Sequence, residues 1–147
     1  MTQGIPFLVV LEDNDEDYQT VLMAAKQFGR PMRLERFRRA EDLIQRISTG
    51  ELLHASLFLL DLRMPGGGGF LALDMLKKDA GHRAKPCVVL TTSNNPQEVQ
   101  RAFQHHANAF HIKPLETAEM INLLLQIFRY WFEACLLTAK HRGEADE

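Results

Sequence analysis

Three short apolar runs punctuate an otherwise mixed chain: FLVVL at 7–11, LFLL at 57–60 and CVVL at 87–90. Runs of this length without a polar break suit strands covered on both faces, which is the habit of parallel sheets. Between them, apolar positions recur at helical spacing. Tyr18, Val21, Leu22, Ala25 and Phe28 form one such stripe, with Gly29 as a stop signal. Leu43, Ile44 and Ile47 mark a second, ended by Gly50, and Phe70, Leu73 and Leu76 mark a third. Asn95-Pro96 joins a good cap to a proline at the first helical position, and opens a fourth helix carrying Val99, Ala102, Phe103 and His106. Two weaker strand patterns, RLERF at 33–37 and AFHI at 109–112, complete a β-α order repeated five times. This alternation predicts an α/β fold built on a doubly wound, five-stranded parallel sheet.

The last helix, expected over about 116–138, has an unusual pattern. Its polar residues Asn122, Gln126, Arg129 and Glu133 form one narrow stripe, and nearly everything else from Met120 to Leu137 is apolar, including Phe128, Tyr130, Trp131 and Phe132. A helix lying on a sheet needs an apolar face of only ~100° or somewhat more. The surplus is explained either by a deeper groove or intramolecular fold-back, or by a protein–protein face. The second is the favoured expectation, most simply a homodimer using Phe128, Tyr130, Trp131 and Phe132.

Composition adds bounds rather than chemistry. A chain of 147 residues with formal charge −2 suits one domain and gives no sign of nucleic-acid binding. Residues 1–138 are expected to form that domain, with 139–147 a polar tail and no output domain. Cys87 lies inside an apolar run, as a buried, reduced thiol would, so a bond to Cys135 is not expected. No leader and no segment of membrane-spanning length is visible, which makes a cytoplasmic protein without a membrane partner the expectation.

In open α/β sheets ligands bind beyond the carboxyl ends of the strands, so the residues there are the candidates. Glu12 and Asp13 follow the first run, Asp61 the third strand, Thr91 and Thr92 close the fourth, and Lys113 follows the fifth. Three carboxylates at close quarters repel one another, and a hard divalent cation such as Mg²⁺ relieves that. A carboxylate can attack phosphorus to give an acyl phosphate, provided cationic and hydroxyl groups stabilise the transferring oxygens. Lys113 can supply the cation and Thr91 the donor, so the set suits phosphorylation of an aspartate.

These pieces, LEDN, LLDLRMP, VVLTTS and FHIKP in this order, resemble the receiver domain of bacterial two-component response regulators over nearly the whole chain. The resemblance implies a sheet order of 2-1-3-4-5, the flavodoxin-like order. It implies Asp61 as phosphoacceptor, a histidine kinase as donor, and Mg²⁺ held by Glu12 or Asp13, Asp61 and the backbone carbonyl of Arg63. Thr91, with Thr92 beside it, and Lys113 would then bind the phosphoryl group, and Thr91 with Phe110 would form the switch. VVLTTSNNPQEV and IFRYWFE are similar to a smaller group, the single-domain regulators that partner phytochrome-type histidine kinases, notably in cyanobacteria. Members of that group pair through the last helix region, which implies a homodimer through the helix 4–strand 5–helix 5 region.

Phe110 differs from a switch tyrosine in having no hydroxyl. Arg63 is either a solvated arginine or reaches the mouth of the site or an acid there, altering access of water to the acyl phosphate. Thr92 is larger than the residue often found there and could narrow that access. The six histidines show no metal-binding spacing. Five arginines between Arg30 and Arg39 fall around an expected edge strand, where charge discourages edge pairing; docking to a kinase is the functional reading, ahead of nucleic acid. The four glycines at 66–69 are not followed by Lys-Ser/Thr, so they are no nucleotide-phosphate loop. They form the connection from Asp61 to the third helix. In the family resembled, the last position, Gly69, is usually glycine, while Gly66, Gly67 and Gly68 replace side chains that would anchor the loop, which is expected to be looser than usual. Rival readings are an interaction-only module that is not phosphorylated, and a small flavin or phosphohydrolase enzyme on a similar fold.

Overall fold

A computed structural model describes residues 4–135. Five β-α units follow in order: β1 (Phe7–Leu11), α1 (Asp15–Phe28), β2 (Arg33–Phe37), α2 (Ala40–Thr49), β3 (Leu57–Leu60), α3 (Gly68–Lys78), β4 (Cys87–Thr91), α4 (Pro96–Gln104), β5 (Ala109–Ile112) and α5 (Thr117–Arg129). The strands pair in parallel in the order β2-β1-β3-β4-β5. The expected doubly wound sheet is therefore present. Among the described residues no helix is long and apolar enough to cross a membrane.

The three unbroken apolar runs are the three central strands, every residue of which is buried. Alternation along β1 sends Leu8 and Val10 to one face and Phe7, Val9 and Leu11 to the other. The first set packs with Leu57, Leu59, Val88 and Leu90 beneath α1 and α5. The second joins Phe58, Leu60 and Val89 beneath α2 and α3. Each fully buried Val or Leu stabilises the fold by ~1.5–3 kcal/mol, so these two layers fix the register on which the site depends.

β2 and β5 are the edges and are only partly buried, which explains their weaker sequence patterns. The arginines around β2 are matched by acids. Arg30 meets Glu133 at 3.2 Å, Arg36 and Arg38 meet Asp15 at 2.9 and 2.8 Å, Arg39 meets Glu41 at 2.6 Å, and Arg33 lies 4.0 Å from Glu35. Four acids are thus shared among five arginines, with Asp15 serving two of them, so much of the positive charge is offset in place.

Two helix ends depart from the expected pattern. α4 stops at Gln104, and His106 lies beyond it at a φ of 70° in a tight turn, so His106 is not on that helix. Only Ala102 of α4 is fully buried, and Phe103 is 48% exposed. At the other end, the single helix expected over 116–138 changes character after Arg129. Tyr130–Ala134 form one wider π-helical turn, with the Cys135 N–H donating to the Tyr130 carbonyl at 2.8 Å, and Cys135 is extended. Residues 136–138 and the expected tail at 139–147 lie outside the described residues.

The aromatic cluster is also redistributed. Phe128 and Phe132 are 0% and 1% exposed, stacked on each other with ring centres 5.8 Å apart and capped by Phe28 of α1 at 5.8 and 6.4 Å. This is the fold-back alternative, and it removes Phe128 and Phe132 from the expected dimer surface: α1 lies along α5 and covers them. Arg30 secures the turn by donating to the Phe132 carbonyl at 3.4 Å. Tyr130 stays 54% exposed and Trp131 half-buried, with their rings edge to face at 4.8 Å.

Candidate functional site

β1 lies between β2 and β3, so the chain leaves the sheet in opposite directions on either side of it and a crevice opens at the carboxyl ends. Backbone hydrogen bonds carry the ladder into this crevice: Glu12 N–H to Phe37 O at 3.0 Å, Asp61 N–H to Leu11 O at 3.1 Å, and Lys113 N–H to Thr91 O at 2.7 Å. The residues just past the strands are thereby held as firmly as the strands.

The close approach of the following chain is possible only because of Gly69. A Cβ there would lie 2.5 Å from the Asp61 carbonyl oxygen and 2.5 Å from the Leu62 Cα. Gly68 is similarly pressed, 2.4 Å from the Ala40 Cβ, so it is a packing requirement and not merely a lost anchor for a loose loop. Gly66 and Gly67, at φ 77° and 73°, sit in a 3₁₀ turn over Pro65–Gly67, in the left-handed region that glycine adopts without strain.

Lys113 reaches back into the crevice. Its Nζ donates to Glu12 Oε1 at 2.6 Å, Asp17 Oδ2 at 2.8 Å and Asp61 Oδ2 at 3.0 Å. The Glu12, Asp61 and Lys113 side chains are only 6–7% exposed. The other oxygens are held by backbone: Asp61 Oδ1 accepts from the Arg63 N–H at 2.8 Å, and Glu12 Oε2 from the Asn14 N–H at 3.1 Å. Burial raises the Glu12 carboxyl to about 7, against the opposing pull of Lys113. Burial works against the charge of Lys113, yet the hydrogen bonds to Asp17 and Glu12 and the charges of Glu12 and Asp61 outweigh it and raise its pKa, so the ammonium persists.

Glu12, Asp13 and Asp61 each offer a carboxylate oxygen, and these atoms lie within 4.8 Å of one another. Glu12 and Asp61 are buried and Asp13 is exposed, so the cluster has a protein side and an open side. Hard oxygen donors with room for water and a phosphoryl oxygen fit Mg²⁺. Thr91 is 0% exposed, and among the described residues its hydroxyl oxygen has no hydrogen-bond partner. A buried hydroxyl left unpaired is costly, and a phosphoryl oxygen on Asp61 would satisfy it.

The remaining expected residues are spread around this centre. Thr92 is exposed, while its neighbour Ser93 is buried. Arg63 is 56% exposed, with its Nε 3.7 Å from a Glu98 carboxylate oxygen on α4, a loose ion pair without a hydrogen bond. Phe110 is half-buried against the core layer beneath α2 and α3. Asp17 is a site residue the sequence reading missed. The signal was available: of the acids at 15–17, only Asp17 shares the buried stripe with Val21 and Ala24, four and seven residues on.

A family model described as the response regulator receiver domain matches residues 9–125. The "Probable methanogenesis regulatory protein FilR2" of Methanothrix harundinacea is 33% identical over 130 residues, covering 86% of this chain and 84% of that protein. Response regulator Rcp1 of Synechocystis is 31% identical over 84 residues, 57% of each chain. The Mn²⁺-bound structure of Rcp1 superposes with a TM-score of 0.81 at 25% identity, covering 90% of this chain and 98% of that one. The phosphorylated cyanobacterial phytochrome response regulator RcpA has the same fold, with a TM-score of 0.85 at 23% identity over 91% and 99% of the two chains. With the sheet order, the acidic crevice and its lysine already in place, the match over residues 9–125 makes this chain a member of the response regulator receiver domain family.

Proposed function

We propose that this chain is a response-regulator receiver in which Asp61 accepts a phosphoryl group from the phosphohistidine of a kinase. The observation that carries the reading is the buried contact of Lys113 with Asp61 and Glu12, 3.0 and 2.6 Å, beside the unpartnered hydroxyl of Thr91. A carboxylate oxygen of Asp61 attacks phosphorus. The P–N bond to the kinase imidazole breaks, its electron pair stays on nitrogen, and the imidazole takes up a proton from solvent. The product is an acyl phosphate on Asp61.

Glu12, Asp13, Asp61 and the Arg63 carbonyl would hold Mg²⁺, whose chemistry when bound is to neutralise charge on the transferring oxygens. Lys113 pairs with one phosphoryl oxygen, and the Thr91 hydroxyl donates to another. Thr92, exposed next to Thr91, would narrow access to that group. Movement of Thr91 toward the phosphoryl group draws on β4, and Phe110 on the neighbouring strand adjusts with it. The strand register supports this, since Thr91 pairs with Ile112 and Val89 with Phe110. Water adding to phosphorus later returns the carboxylate and releases phosphate.

The output face is α4–β5–α5. A groove of about 380 Å³ runs between β5 and α5, lined by Ala109, His111, Leu123, Ile127, Tyr130 and Trp131 among others. Pairing of two copies there uses Tyr130 and Trp131, not the buried Phe128 and Phe132. A concentration series by light scattering tests it; a monomer throughout refutes it.

The partner is a histidine kinase in the cytoplasm, of the phytochrome type on the likeness of VVLTTSNNPQEV and IFRYWFE to regulators of that group. FilR2, aligned over most of both chains, is named for methanogenesis regulation, so a kinase unconnected with light belongs in the same assay. The test is transfer of labelled phosphoryl from autophosphorylated kinases of both kinds. Label moving to wild type but not to Asp61→Asn, and faster from a phytochrome-type kinase, is expected. Label that stays on every kinase refutes the function; faster transfer from the other kinase refutes only the partner.

A further inference from the structure

Lys113 has three N–H donors, and each finds a carboxylate: Glu12 at 2.6 Å, Asp17 at 2.8 Å and Asp61 at 3.0 Å. Glu12 and Asp61 belong to the cluster assigned to the cation and the phosphoryl group. Asp17 belongs to neither. It sits in the first turn of α1, with its own N–H donating to the Asn14 side chain at 2.9 Å, and its carboxylate is 39% exposed.

We propose that Asp17 is a positioning residue for phosphoryl transfer, holding the Lys113 ammonium in place while its other two acceptors change. This rests on the role assigned above to Lys113. A lysine ammonium is a compact charge on a flexible four-carbon stem, and nothing in the stem aims it. When Asp61 becomes an acyl phosphate, the carboxylate loses its charge and the negative charge moves to phosphoryl oxygens further out. A cation bound at Glu12 changes the second acceptor as well. Asp17 is the one acceptor that neither event touches, and its backbone is fixed by the cap. It turns a free swing of the ammonium into a small pivot about one fixed hydrogen bond. Donors aimed in advance at developing charge need no reorganisation in the transition state, which is where such positioning affects rate.

A purely structural role makes a different prediction. An acid in the first turn of a helix stabilises it through the helix dipole, and losing it lowers stability without acting through Lys113. A double-mutant cycle separates the two. The rate of phosphorylation by a small acyl phosphate in saturating Mg²⁺ is measured by phosphate-affinity electrophoresis for wild type, Asp17→Ala, Lys113→Ala and the double variant. Asp17→Ala is expected to be about tenfold slower than wild type, as for loss of one charge-assisted hydrogen bond made in the transition state. In the Lys113→Ala background the same change should alter the rate by less than about twofold. Asp17→Asn, which keeps the shape and an acceptor oxygen, should fall between and serves where Asp17→Ala does not fold. Its Lys113 ammonium should exchange with water faster than in wild type by ¹⁵N NMR. A wild-type rate in Asp17→Ala or Asp17→Asn, or an equal loss in both backgrounds, overturns the inference while leaving Lys113 in its role. A wild-type rate in Lys113→Ala overturns the role of Lys113 and this inference with it.

Discussion

Replacing Lys113 by Met keeps the length of the stem and removes the charge, and the consequence can be worked from the site. The substitution leaves Glu12 and Asp61, whose side chains are 6% and 7% exposed, facing each other without a counter-charge. Breaking a buried pair by removing one partner costs ~3–5 kcal/mol. The lower end applies here, because the Glu12 carboxyl already lies at about 7 with Lys113 present and moves higher without it, so protonation relieves part of the repulsion. A loss of ~3 kcal/mol is large against the ~5–15 kcal/mol of a typical domain, yet leaves the variant folded. A divalent cation at Glu12, Asp13 and Asp61 supplies the missing positive charge, so Mg²⁺ should stabilise Lys113→Met more than wild type. Urea unfolding followed by far-UV circular dichroism, with and without Mg²⁺, measures both effects. An unchanged midpoint in metal-free buffer, or equal stabilisation of the two proteins by Mg²⁺, refutes the electrostatic account of the crevice.

Phe128→Ala should cost ~3–5 kcal/mol in the same assay, because its ring is fully buried between Phe28 and Phe132, whereas Tyr130→Ala should stay within ~0.5 kcal/mol and instead weaken self-association in light scattering. The hydrogen bond from Lys78 and then that from His105 hold the Asp74 carboxyl below its ordinary range, overcoming some burial. The unfolded chain therefore binds more protons than the folded one across that window. The contribution of Asp74, no more than ~1 kcal/mol, is full above about pH 4 and lost as pH falls through the folded value. Asp74→Asn should remove that pH dependence from thermal melts; parallel wild-type and variant curves between about pH 2 and 6 contradict it. Arg63→Ala breaks the 3.7 Å contact with Glu98 beside the mouth and should shorten the lifetime of the acyl phosphate by up to about fivefold; an unchanged dephosphorylation rate removes Arg63 from this role.

The central strands were legible because each is buried on both faces, which writes an unbroken apolar run into the chain. The edge strands carried weaker signals for the same physical reason, being half solvent-exposed. The residues at strand ends were readable because the β-α repeat fixes which end of the sheet they occupy. What spacing could not convey was the partner of each aromatic. Phe128 and Phe132 have the same helical periodicity whether they meet α1 of their own chain or a second copy, and the choice depends on Phe28, a hundred residues earlier in the sequence. The π-helical turn at Tyr130–Ala134 shifts that periodicity further. The helical stripe singled out Asp17 from its neighbouring acids but not its role, and Gly68 was hidden among neighbouring glycines. In both cases the deciding fact is a long-range contact, with Lys113 for one and Ala40 for the other.

The claim that the crevice phosphorylates Asp61 is tested most directly by intact-mass measurement after incubation with Mg²⁺ and a small acyl phosphate. The account predicts one phosphoryl group added to wild type, dependent on Mg²⁺ and absent from Asp61→Asn. No adduct on wild type, or an undiminished adduct on Asp61→Asn, contradicts it.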